Sequence, residues 1–229
     1  YAAEDFNQDI GDWNVVNGIY FDSMFREASS FNQDIGDWDV SNGNYFKGMF
    51  RKASSFNQDI GSWDVSNGSD FYAMFANASS FNQDIGDWDV SKGNDFRFMF
   101  YEADDFNQDI GSWDVSNGIQ FKAMFEKADA FNQDIGSWDV SNGTNFGGMF
   151  FGVKYFNQDI STWTIDDEAN LTDMFYGADL MQSYQGVDAT PSIAYFNPFE
   201  DKASLQTAVD EWINDQDLSL IHISEPTRR

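Results

Sequence analysis

The pentapeptide Phe-Asn-Gln-Asp-Ile begins at Phe6, Phe31, Phe56, Phe81, Phe106, Phe131 and Phe156, seven copies spaced 25 residues apart in a chain of 229. A fixed period of this length is the signature of a repeat array. Numbered from its Phe, each unit keeps apolar residues at fixed places: Phe at position 1, Ile at 5, Trp at 8, Val or Ile at 10, Phe or Leu at 16, Met at 19, Phe at 20 and Ala at 23, with Val153 the one exception at 23. The positions between them vary and are polar. Such a unit is too short to enclose a core, so it must bury its apolar residues against its neighbours. Burial of a large side chain contributes roughly 1.5–3 kcal/mol, against an ordering cost of roughly 1–2 kcal/mol per backbone residue. A single unit would not stand alone.

The unit from Phe31 to Ser55 reads as a short strand followed by a short helix. Trp38-Asp39-Val40-Ser41 alternates apolar and polar, which predicts a strand with Trp38 and Val40 inward. Asn42-Gly43 turns the chain. Phe46, Met49, Phe50 and Ala53 then fall at i, i+3, i+4 and i+7, one face of a helix about two turns long. Strands stack at about 4.8 Å and helices pack at roughly 8–10 Å, so a strand side and a helix side would bend the array. The expected fold class is therefore an α/β repeat solenoid with one short strand and one short helix in each of about seven 25-residue turns.

The pattern Met-Phe-x-x-Ala-x-x-Phe-Asn-Gln-Asp-Ile-x-x-Trp-Asp-Val-Ser-Asn resembles the BspA-like surface-protein repeat, a relative of the leucine-rich repeats also known as DUF285, and the likeness covers residues 1–180. The resemblance implies a leucine-rich-repeat-like solenoid on the outside of a cell, extracellular or at its surface, with adhesion or protein binding as its use and no known activity. The family pattern continues Val-Thr-Asn-Met after Ser-Asn. Here six units carry Gly instead (Gly18, Gly43, Gly68, Gly93, Gly118, Gly143) with Phe three residues on.

Tyr1 to Asp5 match the last five positions of a preceding unit, which predicts that the chain begins inside a longer array. The seventh unit is atypical, with Ser161, Thr164, Glu168 and Leu171 at places that elsewhere hold Gly, Asp, Gly and Phe. Atypical terminal units act as caps. The solenoid is thus assigned to 1–180, and 181–200, with Pro191 and Pro198, reads as a linker or loop. Within 201–217, Leu205, Ala208, Val209, Trp212 and Ile213 predict an amphipathic helix that caps the array or leads into another. Leu218 to Arg229 abandons the period and the composition and reads as a non-native tail.

With 39 acidic against 12 basic residues the net charge is −27, so nucleic acid and anionic lipid would meet a surface of their own sign. The chain has no Cys and a single His, His222 in the tail. That excludes thiol catalysis, disulfides, a Ser-His-Asp triad and any Cys or multi-His metal site built within the chain. No apolar run approaches the roughly 20 residues that span a bilayer, so no membrane insertion is expected within this fragment.

Two acidic ladders remain. The first, an expected structural ladder, is the Asp of Asn-Gln-Asp-Ile: Asp9, Asp34, Asp59, Asp84, Asp109, Asp134 and Asp159. The second follows Trp, at Asp39, Asp64, Asp89, Asp114 and Asp139, and forms the candidate acidic binding face. At about 5 Å, like charges repel by on the order of 0.8 kcal/mol per contact in a water-like medium, so something must compensate. Calcium between rungs is one answer, since it gathers 6–8 oxygens, and the candidate ligands are Asp37, Asp39, Asp87 and Asp89. Asp37 to Gly43 is similar to the start of a calcium loop, but its Gly is one place late and no Glu stands twelfth. The leading Asp is also replaced by Ser62, Ser112, Ser137 and Thr162 in other units. The plainer answer is that the first ladder caps turn amides and the second is a salt-screened face.

The Trp column, lying between core positions, is expected inside. Rings at variable positions, Tyr20, Tyr45, Tyr72, Tyr101, Phe151 and Tyr155, are better contact candidates because nothing in the repeat requires them. The expected function is a non-catalytic surface repeat protein that adheres to, or binds, a protein or glycan through its acidic face. The alternative is a calcium-dependent or mineral-associated structural module in which divalent cations bind the Asp ladders. No other cofactor is expected. A glycosidase using paired carboxylates ranks last, because repetition supplies carboxylates without a unique cleft.

Overall fold

The computed structural model describes residues 3–196. The helix expected at 201–217 and the tail at 218–229 lie outside the described residues.

The seven units stack so that each residue lies beside its equivalent 25 places on. Isolated parallel bridges mark the register at position 15, running Tyr20–Tyr45–Asp70–Asp95–Gln120–Asn145–Asn170. Equivalent rings lie face to face in columns: Phe31 and Phe56 are 5.9 Å apart, Phe46 and Phe71 5.7 Å, Phe50 and Phe75 5.5 Å. Ile, Val, Met and Ala of each unit fill in between, and units two to six form one continuous buried core. Stacking is what buries it. Trp13, in the first unit, is 54% exposed, whereas Trp38 and Trp63 are each 3% exposed.

Neither the strand expected at Trp38–Ser41 nor the helix expected from Asn44 to Ala53 forms. Trp38 and Val40 do face the core while Asp39 faces out, but the inter-unit pairing falls at position 15. In the helix segment the amides alternate in direction. Those of Phe46, Gly48, Phe50 and Lys52 donate to the carbonyls of Asp70, Tyr72, Met74 and Ala76 in the next unit at 2.7–2.9 Å. Those between, Met49, Arg51 and Ala53, close turns onto Phe46, Gly48 and Phe50. A helix would keep every one of these bonds inside the segment. Here half of them join units, and successive turns bring positions 16, 19, 20 and 23 inward with the spacing of a helical face.

These turns need positive φ at positions 18 and 22 in every unit. Gly48, Gly148, Gly152 and Gly177 meet the need with glycine, whereas Ser23, Glu27, Lys52, Ala73, Asn77, Phe98, Glu102, Ala123, Lys127 and Asp173 adopt φ between 52° and 63° without it. Positive φ at the third residue of a closed four-residue turn is the type II arrangement. With no helix between residues 3 and 178, the difference in width between strand and helix sides, on which the expected bend rested, does not arise.

Side chains tie the other side of the stack. Each indole Nε1–H from Trp38 to Trp163 donates to the carbonyl of the Ile 28 residues earlier, as from Trp63 to Ile35 at 3.1 Å. The Asn of the motif forms a second ladder: Asn57 Oδ1 accepts the Asn82 amide at 2.9 Å and Gln83 Nε2 at 2.9 Å.

Of the segment 181–200 expected to be a linker, residues 181–196 instead fold over the seventh unit, and 197–200 lie outside the described residues. Helix α1 (Asp179–Tyr184) and helix α2 (Ile193–Phe196) place Met181, Val187 and Phe196 in the core. The reason is an unmet need for acceptors. With no eighth unit beside it, Phe175 donates its amide to the Ala189 carbonyl and Asp173 donates to Thr190 Oγ1, both at 2.8 Å.

Candidate functional site

Both acidic ladders are engaged by their own backbone. In the first, Oδ1 of Asp34, Asp59, Asp84, Asp109 and Asp134 accepts the amide of the Gly two residues on, at 2.9 Å in each unit. In the second, Asp39, Asp64, Asp89, Asp114 and Asp139 accept the amide of the Ser two residues on at 3.0–3.1 Å. These are Asx turns. Bonds from the hydroxyls of Ser41, Ser91 and Ser141 also hold the carboxyls of Asp39, Asp89 and Asp139 below their ordinary range.

The candidate ligands Asp37, Asp39, Asp87 and Asp89 do not converge, and among the described residues no group of three or more His, Cys, Asp or Glu could hold a metal ion. Asp39 and Asp89 are occupied in their own turns. Asp37 lines a cleft with Asp9, Asp12 and Asp34, and Asp87 a second with Asp59 and Asp84.

A different face gathers the chemistry that the repeat does not dictate. Nine Lys and Arg lie within residues 3–196, and seven of them (Arg26, Lys47, Arg51, Lys52, Arg97, Lys122, Lys127) occupy positions 17, 21 and 22. Tyr72, Phe98, Tyr101, Phe151 and Tyr176 share this face because they hold positions 17, 18 and 21. The backbone sets their direction. The turns that send positions 16, 19, 20 and 23 inward send 17, 21 and 22 outward.

Ring and cation are in contact along it. Lys47 Nζ lies 4.9 Å from the Tyr72 ring centre and the Arg97 guanidinium 5.2 Å from it, while Phe98 meets Tyr72 edge-on at 5.8 Å. Lys122 lies 5.9 Å from the Phe98 ring and Lys127 5.9 Å from that of Tyr101. A groove of about 470 Å³ opens between Arg51, Tyr72, Phe98, Tyr101, Lys122 and Glu126. Alongside it, a groove of about 560 Å³ runs past Glu102, Asp104, Lys127 and Phe151.

Ion pairs cross the seams between units. Lys52 meets Glu27 at 3.3 Å and Lys127 meets Glu102 at 2.9 Å. The lysine bond in each case holds the Glu27 and Glu102 carboxyls low. Burial instead pushes up the carboxyls of Asp70 and Glu126. Asp104 is also raised, first by burial and then by Asp129 beside it.

Of the rings singled out from sequence, Tyr72 and Tyr101 enter the smaller groove and Phe151 the larger. Tyr20 and Tyr45 stack on each other at 4.9 Å, and Tyr155 stands apart, 61% exposed. Sequence reasoning missed Arg51, Phe98, Lys122 and Glu126. The signal that would have found them is the crowding of scarce cations into three positions of the repeat.

A family model described as "Mycoplasma protein of unknown function, DUF285" matches the chain four times over, at residues 1–88, 47–132, 69–189 and 109–212. No curated protein and no solved structure matches it.

Proposed function

We propose that this chain, which belongs to the DUF285 family of repeat proteins, is a non-catalytic solenoid of the BspA-like kind that binds a protein or glycan partner at a cell surface or outside the cell. The observation that carries the reading is the segregation of variable residues. Core, Trp, Asn and Gln positions repeat almost without change, and both Asp ladders serve their own turns. The outward positions 17, 18, 21 and 22 differ from unit to unit and bring rings, cations and two grooves together. A scaffold that holds many outward positions in register and varies them suits recognition over an extended surface.

The acidic ladders then supply solubility and long-range repulsion of anionic surfaces. Exposure of the whole chain to arrayed proteins and glycans tests the reading. Saturable binding that survives Asp64→Asn with Asp114→Asn, but is weakened by Arg51→Ala with Lys122→Ala, is the expected result. Absence of saturable binding to either class, or turnover of any arrayed polysaccharide, would overturn it.

A further inference from the structure

The geometry points to the groove around Tyr72 as a site for a sugar unit bearing one carboxylate, such as a uronic acid at the end of a glycan. The inference rests on the binding role proposed above and specifies its ligand. Three observations converge. The groove, at about 470 Å³, is walled by Tyr72, Phe98 and Tyr101, and ring faces receive the C–H faces of a sugar as they receive other apolar surface. Its rim carries Arg51 and Lys122. Among the described residues neither has a carboxylate within 4.0 Å, whereas Lys52, Arg97 and Lys127 do. In a chain of charge −27, two cations outside any close ion pair, Arg51 acting on Glu27 and Lys122 on Glu126 only at longer range, stand beside a ring-lined groove and are the complement of an anionic group. Finally, the Glu126 carboxylate lines the groove and offers an acceptor to hydroxyls.

Net charge decides between ligands of similar local chemistry. A polyanion would bring many charges against the acidic ladders, while a single carboxylate feels mainly the groove, because repulsion from charges more than about 8 Å away is largely screened at physiological salt. A neutral sugar would leave Arg51 and Lys122 unused. An acidic peptide would present repeated charges and little flat C–H surface to the rings.

The test uses the full chain and ligand-observed NMR titration with glucuronate, glucose, acetate and a hexaglutamate peptide at matched ionic strength. Glucuronate is expected to bind at least tenfold more tightly than glucose or acetate. Arg51→Ala and Lys122→Ala, with unchanged melting temperature, are expected to weaken it at least tenfold each, Lys122→Arg to restore most of it, and Asp64→Asn to leave it unchanged. Equal binding of glucose, or of acetate, overturns the inference, as does tighter binding of hexaglutamate. If the arrayed partners bind while glucuronate does not, this ligand assignment falls and the binding role stands. If neither binds, both fall.

Discussion

A Cβ built on Gly61 would stand 2.5 Å from the carbonyl oxygen of Asp84 in the next unit. The same contact, at 2.5–3.0 Å, recurs from Gly11 to Gly136, each time against the backbone of the following unit. The seventh unit has Ser161 at this place, where no eighth unit closes over it. Gly61→Ala is therefore expected to cost about 1–3 kcal/mol through a shifted seam. Gly48→Ala, whose Cβ would have 3.6 Å to its nearest neighbour but whose φ is +59°, is expected to cost about 1–2 kcal/mol from backbone strain alone. Ser161→Gly meets no such contact and is expected to cost only about 0.5–1 kcal/mol, through loss of the bond its hydroxyl gives Asp159 at 2.7 Å. Urea denaturation of the three variants checks the order; a Gly61→Ala protein as stable as the parent would contradict the seam.

The second Asp ladder offers a separation of charge from capping. Asn14 holds the place of this Asp in the first unit and accepts the Val16 amide just as the carboxylates do. Replacing Asp64 and Asp114 by Asn should thus keep the turns and remove repulsion, raising the melting temperature at low salt by an amount that shrinks in high salt. Replacement by Ala should lower the unfolding free energy by about 0.5–1.5 kcal/mol per site through the lost bond. A calcium titration of the parent is expected to show only the stabilisation that sodium chloride gives at equal ionic strength. Saturable heat removed by the Asn pair would instead favour the ion-binding alternative.

Two groups of carboxyls pull the pH dependence in opposite directions. Asp70 and Glu126 are raised by burial above 3.8 and 4.5, so the native state takes up protons first, and stability rises as pH falls from neutrality toward the unfolded values. Glu27, Glu102, Asp39, Asp89, Asp139 and Asp159 are lowered. Their contribution is present above the unfolded values and is lost below about pH 4 as they protonate. Melting temperature should therefore rise as pH falls from neutrality toward the unfolded carboxyl values and drop once pH passes below them. Asp70→Asn, which can still accept the Tyr72 amide bonded now at 2.9 Å, should flatten the upper part of that profile and leave the acid limb in place.

Tyr195, in the cap, has a buried hydroxyl with no hydrogen-bond partner among the described residues. Burial pushes its ionisation up to about 12. An unpaired buried hydroxyl costs about 1–3 kcal/mol, so Tyr195→Phe is expected to stabilise the protein. Its ultraviolet titration should lose the latest-ionising tyrosine. A lower melting temperature for the variant would show that the hydroxyl is satisfied in solution.

The stacking register and the core were legible because both depend on identity at equal spacing. Phe46, Met49, Phe50 and Ala53 were rightly placed inward, yet the spacing that marks a helical face also fits a run of turns whose alternate amides bond to the next unit. Side-chain period reports direction, and says nothing of where an amide finds its acceptor. The Asn and Gln ladder was hidden for a similar reason, since Asn57 and Gln83 meet only across a seam. The Gly of position 13 became intelligible only through its partner: a Cβ on Gly68 would lie 2.5 Å from the Phe71 ring, and the unit that has Glu168 also has Leu171 in place of Phe. The regularity of the Asp ladders follows from the turns they cap, as at Asp59 and Asp64.

The amides of positions 16, 18, 20 and 22 all give forward, from Phe21 to Tyr45, from Phe46 to Asp70 and on to the cap. Bonds given backward answer them, from the amides of Asn44 and Ser69 and from the indole of Trp63, so the array has a direction and each interior seam repeats nearly the same bonds. A gene that loses or duplicates one whole unit between the second and the sixth rejoins matching partners. Length is thereby free to drift, and each added unit brings another set of outward positions to the variable face.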